Sequence, residues 1–250
     1  MTTRFDRLGK LLRRPDARGP SVGGTAFHPS SLASYFADYD ADLGVERTTG
    51  NPAADGDTVQ RWLDQASGGA HLVQNTAGNR PTYEVGDGPN GHNRMSFTAS
   101  LLTRMEATMS LAQPHTIFMV GRSPFSSTNM FFYDGTSTRS ALAKLGTNFQ
   151  LFSTTNSCTR AVPAANTWFL DEAEFDGASS SHRVDAGTAA TGNPGAATLS
   201  NLRVGAGNTL STATALLGDV TRLLVFNAIL STEDKARVRT YLGNLYGLTV

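Results

Sequence analysis

The chain has 250 residues, 39% of them apolar and 17% charged, and its 21 Lys and Arg balance its 21 Asp and Glu. That is enough apolar sequence for one sizeable core, and a net charge of zero provides no field that would draw the chain onto nucleic acid or an anionic membrane. With 25 Gly, 10 Pro and only a modest aromatic share, the composition favours short strands joined by tight turns over long helices.

In chain order the first feature is a basic arm. Residues 1–18 carry Arg4, Arg7, Lys10, Arg13, Arg14 and Arg18 against Asp6 and Asp16. Phe5, Leu8 and Leu12 recur at helical spacing with Leu11 beside them, which predicts a short amphipathic helix ending before Pro15. A helix of about a dozen residues is marginal in water without a partner. Arg4, Phe5, Arg7, Leu8, Leu11, Leu12, Arg13 and Arg14 are therefore read as a docking peptide that folds on a partner, with a disordered tail as the alternative. Arg13, Arg14, Pro15 and Asp16 stand where a secretory signal would carry its apolar run, so a chain made in the cytoplasm without a signal peptide is expected. No stretch approaches the ~20 apolar residues of a membrane-spanning helix, so no membrane insertion is expected either. Residues 15–24 read as a linker, which divides the chain into an arm and linker, 1–26, and one folded domain, 27–250.

Across that domain, short apolar or alternating runs alternate with Gly, Asn, Pro and Ser clusters. They are Leu32–Asp38, Val59–Asp64, Arg80–Val85, Arg94–Phe97, Thr116–Arg122, Met130–Tyr133, Phe149–Phe152, Thr167–Phe175, His182–Val184, Leu202–Val204 and Val220–Phe226. This pattern predicts an all-β, two-sheet antiparallel sandwich. Ile117 to Val120 and Leu223 to Phe226 are apolar at successive positions, which requires cover on both strand faces. A single helix is predicted over Ser231–Leu245: Ser231 can cap it, Asp234 completes a capping box, and Glu233 precedes Arg237 by four residues. Val238, Tyr241, Leu242 and Leu245 form its apolar stripe, and Gly247 ends it.

Several of these stretches together resemble a known family. Phe27 to Leu32 (FHPSSL), Tyr35 to Asp38 (YFAD), Val59 to Gly68 (VQRWLDQASG) and Gln74 to Tyr83 (QNTAGNRPTY) are similar to the opening of a concanavalin A-like lectin/glucanase domain of the LamG-like jelly-roll kind. Leu224 to Leu230, the following STED and the YL…YG of Tyr241 to Gly247 resemble its closing strand and helix. In such a fold Trp62 is an inter-sheet core residue with its indole N–H satisfied. Asp64, Ser67 and Gly68 form the turn after it, and Pro81 pins the chain as it enters an edge strand.

Chemistry-bearing residues are sparse. Glu172, Glu174 and Asp176 alternate along one strand, as the carboxylates of glucanases on this fold do, where retaining hydrolysis needs two of them ~5 Å apart. The bland reading is an exposed polar strand face, with Asp176 starting a turn. Asp38, Asp40 and Asp42 alternate as calcium ligands could, without the glycine and closing glutamate of an EF-hand loop. Cys158, the lone cysteine, reads as a small buried hydrophobe. The five histidines, His28, His71, His92, His115 and His182, lack ligand spacing and read as surface or turn residues. Phe125, Asn129, Tyr133 and Asp134, and His182 with Arg183, could line a sugar site but read more readily as core and loop. H-E-x-x-H and P-loop motifs are missing.

The resemblance, with the arm and the absent signal, implies a non-enzymatic structural or adhesion protein of tailed-bacteriophage virions. It would be a capsid decoration, head spike or tail-associated jelly roll, synthesised in the host cytoplasm. Its partners would be other virion subunits, as a homo-oligomer within a larger assembly, and host surface polysaccharide. No cofactor is implied beyond the calcium candidate. The alternatives are a polysaccharide hydrolase of the glucanase type using Glu172 and Glu174, and a ligand-free cement protein.

Overall fold

The computed structural model describes residues 27–250, which form two antiparallel sheets packed face to face and one C-terminal helix. The arm residues Arg4 to Arg14 lie outside the described residues. The strands, in chain order, are β1 (Tyr35–Asp40), β2 (Val45–Thr48), β3 (Asn51–Pro52), β4 (Arg61–Trp62), β5 (Leu72–Val73), β6 (Thr82–Glu84), β7 (Arg94–Phe97), β8 (Met105–Leu111) and β9 (His115–Arg122). They continue with β10 (Asn129–Gly135), β11 (Ala141–Leu145), β12 (Asn148–Phe152), β13 (Asn156–Ala161), β14 (Phe169–Phe175), β15 (Ser180–Val184), β16 (Ala190–Gly192), β17 (Leu199–Val204) and β18 (Gly218–Phe226).

The smaller sheet runs β16-β15-β14-β9-β18-β7-β6, with β1 also paired to β18. The larger sheet runs β13-β12-β11-β10-β17-β8-β5-β4-β2-β3. All eleven expected runs hold a strand. Seven strands were not expected: β2, β3, β5 and β16 are two to four residues long, and β8, β11 and β13 carry Met, Ala, Lys, Asn or Ser where strand formers usually stand.

The inter-sheet core takes one face of each strand. Ile117, Met119, Leu223 and Val225 point inward to join Trp62, Phe132, Phe149 and Phe169, whereas Phe118, Val120, Leu224 and Phe226 point outward. The outward set is covered by α1 (Thr232–Tyr246), through Val238, Leu242 and Tyr246, and by Phe27, Leu32 and Tyr35. This second layer is the reason β9 and β18 are apolar at successive positions. The helix starts where the sequence predicts: the Asp234 N–H donates to Ser231 Oγ at 3.1 Å, and Gly247 ends it at φ +66°.

The residues assigned to the frame take the expected places. Trp62 is fully buried, and its indole N–H donates to the Asp40 carbonyl at 2.9 Å. Asp64 Oδ1 accepts the N–H groups of Asp38 and Ala66, both at 2.9 Å, ahead of the turn at Ser67 and Gly68. Pro81 leads into β6, which is an edge of its sheet. Cys158 is buried. The reading of the histidines needs correction at two positions: His115 and His182 are fully buried, the first stacked on Phe175 with ring centroids 5.0 Å apart and the second between Asp171 and the Cys158 carbonyl.

Candidate functional site

The outer face of the smaller sheet collects the carboxylates that the sequence singled out, and it closes over them. Glu172 and Glu174 alternate outward from β14, as their spacing predicts, but α1 lies on top of them and leaves them 3% and 5% exposed. Arg239 of α1 pairs with Glu172; Lys235 pairs with Glu174 at 2.7 Å, and the Ser181 hydroxyl donates to the same carboxylate. Burial pushes the Glu172 carboxyl above its ordinary range, against the pull of Arg239. Both expected arrangements fail here: the pair lines no cleft, and it faces no solvent. Asp176 is exposed and begins a turn, as expected.

Asp38 and Asp40 also point outward under the helix, and a guanidinium takes the place that a cation would need. Arg222 of β18 pairs with Asp38 through Nε at 2.7 Å and with Asp40 through Nη1. Asp42 pairs with His92 and accepts the Asn93 N–H at 2.9 Å. The calcium reading is corrected accordingly: these three aspartates are committed to Arg222 and His92. Among the described residues no group of His, Cys, Asp and Glu is arranged to hold a metal. Of the sugar-site candidates, Phe125, Tyr133, Asp134 and His182 are buried, and Asn129 accepts the Gly146 N–H at 3.2 Å.

The outer face of the larger sheet is different. Across six neighbouring strands the register sets one residue from each in a row: Glu46 opposite Arg61, Arg61 opposite Val73, Val73 opposite Glu106, Glu106 opposite Arg203, and Arg203 opposite Asp134. Five of the six are charged and alternate in sign where they adjoin, and cross-strand neighbours of opposite sign attract. Arg61 meets Glu46 at 3.0 Å, Arg203 meets Glu106 at 2.9 Å, and Arg139 meets Asp134 at 2.6 Å. Asp134 is fully buried, and burial pushes its carboxyl up while Arg139 opposes.

Val73 interrupts the row. Its short apolar side chain stands between two long charged ones, at a depression of about 290 Å³ lined by Arg61, Gly69, Ala70, His71, Val73, Glu106 and Thr108. His71 Nδ1 accepts the Asp64 N–H at 3.1 Å, so the neutral ring carries its proton on Nε2. Glu106, whose side chain is 38% exposed, is the carboxylate of this depression and is also reached by Arg104 at 3.4 Å. A small apolar floor ringed by guanidinium, imidazole, carboxylate and hydroxyl groups suits a ligand that presents both C–H surface and hydroxyls. Sequence reasoning missed this site. Glu46, Arg61, Val73 and Glu106 are spread over sixty residues, and two of the four strands holding them are two residues long.

No protein-family model matches the sequence, and no curated protein matches it. Solved structures do. A mutant GH54 α-L-arabinofuranosidase soaked with 4-nitrophenyl α-L-arabinofuranoside superposes with a TM-score of 0.59 at 14% identity, over 76% of this chain and 51% of that one. An arabinofuranosidase complexed with arabinofuranosyl-α-1,2-xylobiose gives 0.56 at 10% identity, over 77% and 52%. Trypanosoma rangeli sialidase in complex with sialic acid gives 0.51 at 10% identity, over 86% and 34%. The chain thus spans a third to about half the length of the proteins it resembles. At such identities the likeness is one of fold, and it agrees with the expected sandwich. The expectation of a non-enzymatic chain is corrected to this extent: the named structures that it resembles in fold are those of glycoside hydrolases.

Proposed function

We propose that this chain is the saccharide-contacting sandwich of a glycoside-hydrolysing protein, and that it seats sugar on the outer face of its larger sheet, at Val73. The interrupted charge row carries this reading: among its six residues Val73 alone is apolar and offers a sugar ring a floor, and the groups around it suit hydroxyls. The fold shared with glycosidases supports the same class of ligand, as an analogy of architecture. Glu106 would accept sugar hydroxyls beside its pairing with Arg203. Hydrolysis calls for two free carboxylates, and all three of the row, Glu46, Glu106 and Asp134, are ion-paired. The whole hydrolytic site would therefore need groups beyond this depression.

The test is a backbone amide NMR titration of the chain with arabinose-substituted xylo-oligosaccharides and with sialylated lactose, run beside a hydrolysis assay on nitrophenyl glycosides. The expected result is saturable shifts confined to Arg61, His71, Val73, Glu106 and Thr108, with a Kd of about 1 mM, weakened about tenfold by Glu106→Gln. Shifts centred elsewhere, or none with either saccharide, would overturn the assignment.

A further inference from the structure

A second depression, of about 390 Å³, opens where β2 and β3 meet the segment entering β6, and it is lined by Arg47, Thr48, Asn51, Asp57, Thr58 and Arg80. Most arginines of the described residues are matched to a carboxylate. Arg47 and Arg80 form no ion pair among the described residues, and both line this one depression. Arg80 is held in place by backbone: its Nε donates to the Gln74 carbonyl at 2.9 Å, and its Nη2 donates to the Asn75 carbonyl at 3.3 Å. Those bonds orient the guanidinium without neutralising it. Asp57, the one acid in the lining, has an oxygen engaged by the Ala54 N–H at 2.8 Å. Thr48, Asn51 and Thr58 add neutral hydrogen-bonding groups around the two cations.

The ligand that fits is an anion with polar surroundings of its own. A planar carboxylate matches a guanidinium fork in two parallel hydrogen bonds, and neighbouring hydroxyls would meet Thr48, Asn51 and Thr58. The position fits as well, because Arg80 grips the two residues that follow β5, the strand that supplies Val73. We infer that the depression at Arg47 and Arg80 binds the carboxylate of an acidic sugar, a uronate or a sialate, in the saccharide that the sheet face holds. The inference rests on the proposed sugar face for the rest of that ligand, whereas the carboxylate site stands on its own residues.

The experiment is a calorimetric and NMR titration of the full chain with a uronic acid monosaccharide, the matching neutral sugar and inorganic sulfate. The uronate is expected to shift the amides around Arg47, Thr48 and Arg80, and to bind about tenfold more tightly than the neutral sugar. Its affinity should fall as ionic strength rises toward ~1 M, where exposed charges are screened. Arg80→Gln is expected to abolish that preference, and Arg80→Lys to recover only part of it, since an ammonium keeps the charge and loses the fork. Because Arg80 also ties down backbone, Arg47→Gln serves as the second variant. Arg47 is exposed, so its loss should cost affinity for uronate with no change in thermal midpoint. Equal affinity for uronate and neutral sugar would overturn the inference, as would unchanged binding in both glutamine variants or sulfate competing on equal terms. Uronate shifts at Arg47 and Arg80 with no sugar shifts at Val73 would sink the sheet-face reading and leave this one standing.

Discussion

The two outer sheet faces start from similar material and reach opposite ends. Each carries outward carboxylates and outward arginines on adjacent strands. On the smaller sheet, α1 lies over Glu172, Glu174, Asp38 and Asp40 and supplies or seals their partners. On the larger sheet no helix of the described residues covers the corresponding row, and the gap at Val73 leaves Glu106 and Arg61 at the edge of open space. Alternating carboxylates are thus a poor guide to chemistry on their own; what lies above them decides whether they hold the fold together or meet a ligand.

If the covered face is structural, breaking its pairs should unfold the protein. Arg222→Ala is the most severe case, because it leaves Asp38 and Asp40 buried without a cation. Removing one partner of a buried ion pair costs about 3–5 kcal/mol, to be read as a fall in the urea midpoint at unchanged slope.

A related effect of pH arises inside the core. Burial holds His115 far below its ordinary value, at about 4, with the carbonyl of Ala112 its one hydrogen-bonding partner among the described residues. The unfolded chain binds a proton on this residue below about 6.5 and the folded chain does not until about 4, so the contribution of His115 to stability is intact above 6.5 and is lost as pH falls toward 4. The loss amounts to about 3 kcal/mol. Burial also raises buried carboxyls such as Asp134 and Glu172, so the measurement is the difference between wild type and His115→Phe, whose ring keeps the stack on Phe175. That difference should favour the variant increasingly as the solution is acidified from pH 6.5 to 4. A constant difference would mean that His115 is already charged in the fold. The His92–Asp42 pair behaves oppositely at its upper limit: the bond to Asp42 raises His92, so its contribution is present below the unfolded value of 6.5 and fades as pH climbs past the folded one.

Glu172→Gln and Glu174→Gln should each cost about 1.5–3 kcal/mol, the worth of a charge-assisted hydrogen bond, by thermal or urea unfolding. Neither should alter saccharide affinity or any hydrolytic rate. An activity loss without a stability loss would mean that the helix lifts from this face and that the two regions are not as different as they look.

How much of this was legible beforehand divides along the same line. The covered face was readable in outline, because continuous apolar runs in Ile117 to Val120 and Leu223 to Phe226 require a second layer, and the capped stripe of Ser231 to Leu245 provides it. Its charge pairs were not readable: Arg239 is sixty-seven residues from Glu172, and no local spacing connects them. The open face was almost invisible. β4 and β5 are two residues each, too short for alternation to register, and β8 alternates Met105, Ala107, Met109 and Leu111, a set with weak strand preference. The row across Glu46, Arg61, Val73, Glu106, Arg203 and Asp134 exists only through register, one residue per strand, so it could not be seen before the strands were aligned.

Val73→Arg should have the smallest effect on the fold and the sharpest consequence for the comparison. Val73 is half-exposed and faces outward, and a surface substitution of this kind usually changes stability by no more than about 0.5 kcal/mol. The new side chain would meet Glu106 on one side, stand opposite the like charge of Arg61 on the other and fill the depression, leaving the open face without its apolar gap. Saccharide shifts at His71, Glu106 and Thr108 should then disappear while uronate binding at Arg47 and Arg80 persists, because neither residue lines the depression at Val73. Retention of saccharide binding at full strength would show that the gap at Val73 is only an irregularity of packing. Its loss, with the fold intact, would make the missing charge in the row the feature that separates a face that binds from a face that holds.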